Sequence, residues 1–481
     1  MEGQDTKGKI AVIGLGISGL AALKNLLEQG FDVVGIDRND YIGGLWQFTE
    51  DKKQVSVLKT TIANSSKQFG CFTDFPFSDD VPDYPTALDV AKNLQDYAKR
   101  FDLFQHIRLG VNISRIERSK DGQKWDIHLN EKGEVKSKIE KVSKVLVCTG
   151  PWERSHRPTY EGEANYEGIM LVGKEYKGPA EFRDKRVLIV GMANTACDIA
   201  VDLVGAAKEI YISHRSGTRI IPRMMDAPPF KNTLGVINDH ITGRLSDGSV
   251  KLLGGIKRFS PHGVISDGEK ETEVDVVIFC TGNYFDYSIL SHEADPTKLG
   301  DSSEWDQAEH SNGLMYPRLY QTLFHPNFAE SLAFLGPCRG FSFAVHSNAD
   351  LASQAIAQVW KGNYTLPDTT ERSEWCEKNY KASLGVIKNW RTFRTGHFSA
   401  GEFEYWLNTV AGTQVNEYLG WGRKGWTFWW NDREFYNLIV RGVNTPFLYR
   451  LFEGREGGRK KWDGARKEIW KANGKVPPED R

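Results

Sequence analysis

The sequence predicts an α/β protein with two dinucleotide-binding, Rossmann-like units, the first discontinuous and the second inserted into it. Three observations carry that expectation. Residues 9–37, KIAVIGLGISGLAALKNLLEQGFDVVGID, read as strand, glycine turn, helix and strand. Residues 187–203, VLIVGMANTACDIAVDL, repeat the strand, turn and helix. Two apolar strands ending in Cys-Thr-Gly, at 143–151 and 274–283, follow the two units and mark where the chain passes between domains.

In the first unit, the short β-branched run IAVIG has the composition of a buried parallel strand. Gly14, Gly16 and Gly19 then give G-x-G-x-x-G. The first glycine permits a tight turn, the second lets a pyrophosphate approach the backbone, and the third lets helix pack on strand. The following helix aims free N–H groups at the phosphates. The second strand ends at Asp37, twenty-three positions after Gly14, where a carboxylate accepts hydrogen bonds from ribose hydroxyls. Such an acid suits FAD or NAD.

The second unit keeps Gly191 but carries Ala193 and Ala196 at the next two glycine positions. Alanine is an accepted variant at the third position, whereas a methyl at the second crowds the pyrophosphate. The position matching Asp37 falls at His214, between Ser213 and Arg215, with no acid. A carboxylate would repel a 2′-phosphate, whereas Ser213 and Arg215 can hold one by charge-assisted hydrogen bonds. This unit therefore reads as an NADPH seat, with Arg219 and Arg223 as the next candidates. An unliganded strand-turn-helix remains the alternative.

Bulk composition narrows the class. The chain has 481 residues, 40% hydrophobic and 26% charged, with a net charge of −1. That is an ordinary multidomain globular composition, with no global attraction to nucleic acid or anionic membrane. The six cysteines are widely spaced and form no CxxC pair, which argues against a redox disulfide or a zinc cluster. The eleven histidines, among them His310, His325 and His346, form no metal set. With no signal-peptide pattern, no apolar run of 18 residues and a polar C-terminus, a cytoplasmic protein without membrane anchor is expected.

With these pieces in order, the chain resembles the flavin-containing monooxygenases. The likeness extends to DRNDYIGGLWQFTE (37–50), TTIANSSKQFGCFTDFPFSDDVPDY (60–84), VIFCTGNYF, DLASQAIAQVWKGNYTLP (350–367) and FLYRLFEGREGGRKKWDGAR (447–466). It implies FAD and NADPH as cofactors and O2 as co-substrate. NADPH reduces the flavin, O2 adds to it as a C4a-hydroperoxide, and a soft amine, hydroxylamine or sulfur nucleophile takes the distal oxygen. It also implies an FAD-binding unit over 1–165 and 284–481, and an NADPH-binding unit over 166–283.

By the same resemblance Asn64, in the NSSK segment, is the residue beside the flavin, where its amide can both donate and accept. An Asx-turn or helix cap is the plainer reading of that asparagine. Ser18, Arg38, Gly44, Leu45, Trp46 and Thr149 join the FAD seat, and Asn194, Thr195, Thr281 and Gly282 the NADP side. A core tryptophan is an equal reading of Trp46.

Departures from the family are equally specific. Its linker signature, F-x-G-x-x-x-H-x-x-x-F/Y, appears as YEGIMLVGKEY (166–176), keeping Gly168 and Tyr176 but placing Tyr166 for Phe and Val172 for His. The loop PCRGFSF (337–343) lacks the glutamine that many relatives place near the flavin. A Baeyer–Villiger or C-oxygenating relative, a flavin oxidase or reductase, and a non-catalytic flavoprotein therefore stay as rivals. The aromatic stretch 419–440 reads first as core between the C-terminal segment and the FAD domain, then as a substrate channel or homodimer contact. The basic run GREGGRKKWDGARK (454–467), interleaved with acids, reads as a solvated turn.

Overall fold

Continuous apolar runs become strands buried on both faces, as parallel sheets covered by helices require. The computed structural model describes residues 8–131, 138–215, 217–223, 235–311, 313–336, 344–389, 399–454 and 457–478.

The first unit begins with β1 (Ile10–Ile13), α1 (Ile17–Glu28) and β2 (Val33–Ile36); all four residues of each strand are buried. Gly30, at φ +85°, ends α1, and the Phe31 N–H reaches back to the Leu26 carbonyl. Glycine without a Cβ meets that left-handed geometry at little cost. The chain then supplies β3 (Ile107–Arg108) and, after an antiparallel three-stranded sheet over residues 111–142, β4 (Lys144–Val147).

The second unit contributes β5 (Ile169–Val172), β6 (Arg186–Val190), α2 (Asn194–Asp202), β7 (Glu209–Ser213), β8 (Lys251–Leu253) and β9 (Val276–Phe279). The chain returns to the first sheet with β10 (Leu332–Phe334), followed by α3 (Val345–Trp360). Strand order is β10-β4-β1-β2-β3 in the first sheet and β8-β7-β6-β9-β5 in the second, and every neighbouring pair is parallel. The first sheet therefore draws strands from both sides of the second in sequence.

The passage between sheets is a short antiparallel ribbon, Arg154–Ser155 against Asn283–Tyr284. It follows directly on the two Cys-Thr-Gly turns. His156 ties it down, donating its N–H to the Gly282 carbonyl while its own carbonyl accepts from the Thr281 hydroxyl.

Two expectations are corrected here. The run 454–467 is not solvated throughout: Gly457, Lys460 and Lys461 are exposed, but Arg459 is 2% exposed. Its guanidinium donates to Asp350 at 2.9 Å and Glu453 at 2.8 Å, while Arg450 pairs with Asp74 and Glu453. Lys24 on α1 joins through Asp74 at 2.7 Å and Glu28 at 2.8 Å, and Asn25 donates to Asp350 and Ser353. Buried charges are held only where paired, and here three cations face four carboxylates between α1, α3 and the C-terminal segment. Alternating signs in the sequence mark an internal network as readily as a surface.

Nor is the aromatic stretch simply core. On α4 (Arg423–Asn431), Phe428 turns inward, and beyond that helix Phe435 is fully buried and stacks on Trp470. Trp421, Trp426 and Trp430 point outward at 89%, 53% and 75% exposure. No helix among the described residues is long and apolar enough to cross a membrane.

Candidate active site

Both glycine turns sit at the carboxyl end of the central strand of their sheet, where ligands of open α/β sheets bind. Gly14 has φ +93° and Gly191 φ +106°. A Cβ would meet the Cys148 carbonyl oxygen at 2.7 Å in the first turn and the Cys280 carbonyl oxygen at 2.6 Å in the second. The Gly14 N–H donates to the Ile36 carbonyl, and the Gly191 N–H to the Ser213 carbonyl. The Cys148 N–H donates to Ile13 and the Cys280 N–H to Val190. The two units thus repeat bond for bond.

The later glycine positions differ in their demands. A Cβ at Gly16 would meet nothing nearer than the Gly44 Cα at 3.6 Å. Its counterpart Ala193 has φ −105°, ordinary extended backbone. A Cβ at Gly19 would fall 1.8 Å from the Gly14 oxygen, yet Ala196 is accommodated and buried at the matching place. Helix α2 must therefore stand further from its turn than α1 does.

The residues of the first turn fit a dinucleotide. No side chain caps α1 at Gly16, so the N–H groups of its first turn, including that of Ser18, face the turn. Asp37 accepts from the Leu15 N–H at 2.6 Å and the Asn39 N–H at 2.9 Å, and burial raises its carboxyl from its ordinary value against those two bonds. Asn39 Oδ1 beside it is buried without a partner among the described residues. Gly44, at φ +56°, lies against Gly16, and the Gly43 N–H donates to the Leu15 carbonyl. Leu45 and Trp46 follow in a single 3-10 turn, Trp46 packing against the apolar cluster. Arg38 forms a bidentate pair with Glu153.

In the second unit the bond pattern makes Ser213 the counterpart of Ile36, His214 of Asp37 and Arg215 of Arg38. The Ser213 hydroxyl is buried and donates to the Gly254 carbonyl at 2.8 Å. His214 accepts the Gly217 N–H on Nδ1, which leaves Nε2 as the donor of the neutral ring. Arg215 is exposed and has no ion pair among the described residues. Asn194 accepts the Ile237 N–H at 3.0 Å through Oδ1, and Thr195 is exposed one residue further along α2.

Thr149 and Gly150 border a small crevice with Phe285, Tyr287, Phe334 and Gly336 at the carboxyl ends of β4 and β10. The loop 337–343, where the glutamine is missing, lies outside the described residues. The five described cysteines are free and buried, and burial pushes the Cys280 thiol up to about 12, so it stays protonated. At the domain junction the Val172 N–H donates to Glu175, and the Tyr176 hydroxyl donates to Asp202 at 2.7 Å.

Asn64 is exposed at the edge of the first unit, and its Oδ1 faces Arg223 of the second at 3.5 Å. Arg223 is not a spare phosphate reader, because its guanidinium is already engaged with Asp239 and the carbonyls of Ile62 and Ala63. Nothing in the sequence signalled that contact: the two residues lie 159 positions apart in different units.

A family model described as flavin-binding monooxygenase-like matches residues 7–234 and 229–476. The chain belongs to this family. Among curated relatives of this flavin-binding monooxygenase, monooxygenase aurF of Gibberella zeae is 33% identical over 96% of both chains. Human flavin-containing monooxygenase 5 is 28% identical over 96% of this chain and 91% of its own. Among solved structures, the S-allyl-L-cysteine S-oxygenase of Allium sativum superposes with TM-score 0.67 at 22% identity, covering 89% of this chain and 94% of that one. That last likeness is one of fold: two Rossmann-type domains, the first interrupted by the second.

Proposed function

We propose that this flavin-binding monooxygenase uses FAD, NADPH and O2 to oxygenate a soft nitrogen or sulfur nucleophile. The observation that carries the reading is the repeated turn with unlike ends: Asp37 closes the first, and His214 with an exposed Arg215 closes the second. On this reading residues 1–165 and 284–481 form the FAD unit and 166–283 the NADPH unit.

Gly14, Gly16, Ser18 and Gly19 offer backbone N–H groups to the FAD diphosphate, and Asp37 accepts from its ribose. Gly191, Asn194 and Thr195 do the equivalent work for NADP, and Arg215 holds the 2′-phosphate. When bound and reduced, the flavin supplies the oxygen-transfer chemistry. The protein contributes orientation, exclusion of water and hydrogen bonds at the reacting edge. Asn64 is the donor we assign there.

Val172 favours a second reading, oxygenation next to a carbonyl, because a polar side chain usual at the domain junction is absent. Product analysis with amine, thioether and ketone panels separates the two. N- or S-oxides are expected; ester or lactone products without them overturn the first reading. Anaerobic addition of NADPH tests both, since a flavin that stays oxidised excludes any NADPH-dependent monooxygenase.

A further inference from the structure

The structure assigns to Arg223 the role of positioning residue for Asn64; the inference rests on the functional reading above. Arg223 lies just beyond the short strand Ile220–Ile221 of the second unit, and its side chain is 8% exposed. Its backbone N–H and its Nη1 both donate to the Asp239 carboxylate, which fixes the guanidinium in its own unit. Nε and Nη2 reach across to the first unit. Nε–H donates to the Ala63 carbonyl at 3.3 Å and Nη2 to the Ile62 carbonyl at 3.2 Å. Nη2 also lies 3.5 Å from Asn64 Oδ1, the longest of these contacts. The grip is returned by Tyr84, whose hydroxyl donates to the Arg223 carbonyl at 2.8 Å.

A carboxamide has one accepting and one donating end. The Arg223 guanidinium, which can only donate, claims the accepting end of Asn64 and thereby turns its NH2 away from itself. Its hold on the Ile62 and Ala63 carbonyls fixes the backbone from which that side chain projects. An asparagine on an exposed loop would otherwise sample both amide orientations, and only one presents a donor. The NADPH unit thus determines what the FAD unit offers to the reacting edge, through one guanidinium.

The test is a double-mutant cycle on FAD-loaded protein with Arg223→Gln, Asn64→Ala and the pair. It reads hydrogen peroxide released per NADPH consumed and the melting temperature, with amide exchange of residues 61–66 measured with and without FAD. Each single variant is expected to raise the peroxide fraction several-fold, the pair no more than either alone, and Arg223→Gln to speed exchange at 61–66 about tenfold. Arg223→Lys should recover part of the effect, since an ammonium keeps charge but loses the fork. Asp239→Asn, a milder change, should shift peroxide in the same direction if Arg223→Gln does not fold. Additive singles, or an unchanged peroxide fraction in a folded variant, overturn the positioning role alone. A wild-type flavin that NADPH does not reduce overturns the functional reading, and this inference with it.

Discussion

The Leu15 N–H donates to Asp37 Oδ2 at 2.6 Å, so the acid expected to hold a ribose also holds the glycine turn. Removing it should therefore loosen both. Asp37→Ala should weaken FAD binding by about 2–3 kcal/mol, a charge-assisted hydrogen bond's worth. Asp37→Asn, which still accepts the Leu15 N–H, should lose less. Flavin-fluorescence titration of the apoprotein measures both, and wild-type affinity in Asp37→Ala would put the ribose elsewhere.

Arg215 governs nucleotide choice in the second unit. Arg215→Ala should raise KM for NADPH about tenfold or more and leave NADH within about threefold, because only NADPH carries the extra phosphate for a charge-assisted bond. Steady-state kinetics with both nucleotides checks this. Equal losses would move the 2′-phosphate to His214 or Arg219.

Much of this was legible because glycine turns have geometric causes. Gly14 and Gly191 stand where a Cβ would strike a carbonyl oxygen, so their spacing to Asp37 and His214 could be counted before the fold was seen. The Cys-Thr-Gly strands announced the crossing for a similar reason, since a strand buried on both faces must be apolar throughout. Side-chain direction was not legible. Ser213, the last residue of its strand, is buried and bonds Gly254, while Arg215, two residues on, is exposed. Charge runs were misleading too, because the signs in 454–467 do not reveal that Asp350, the partner of Arg459, lies on a distant element.

The buried network predicts a stability defect out of proportion to its distance from the glycine turns. Arg459→Met removes the ion-pair partner of Asp350 and leaves Glu453 with Arg450 alone, and should cost about 3–5 kcal/mol. Urea unfolding of the FAD-loaded protein measures the loss. Adding Asp350→Asn should return part of it, since an amide needs no counter-ion.

Asp198 on α2 gives a pH signature. Burial is the largest influence and raises its carboxyl from 3.8 to about 6, against the opposing pull of Arg223 and the Asn238 amide; Asp202 adds to the rise. Between those values the folded state binds a proton that the unfolded chain has released. Stability from this residue is therefore fullest below the unfolded value and falls as pH rises through the folded one. Asp198→Asn, which can still accept from Asn238, should leave the melting temperature near wild type at pH 4. It should stabilise by about 1–3 kcal/mol above pH 6, the difference growing between. A constant offset from pH 4 to 8 would mean the carboxyl titrates normally.

The network around Arg459 also orders events during synthesis. Lys24 and Asp74 are made early, yet the cations that complete their surroundings, Arg450 and Arg459, come near the end of the chain. A nascent chain short of residue 459 can form β1, α1 and β2, but cannot seal α1 against α3 without stranding carboxylates. The first unit to emerge from the ribosome should therefore be the last to close, and the second, whose sheet is made of contiguous chain, should be able to fold while the first waits.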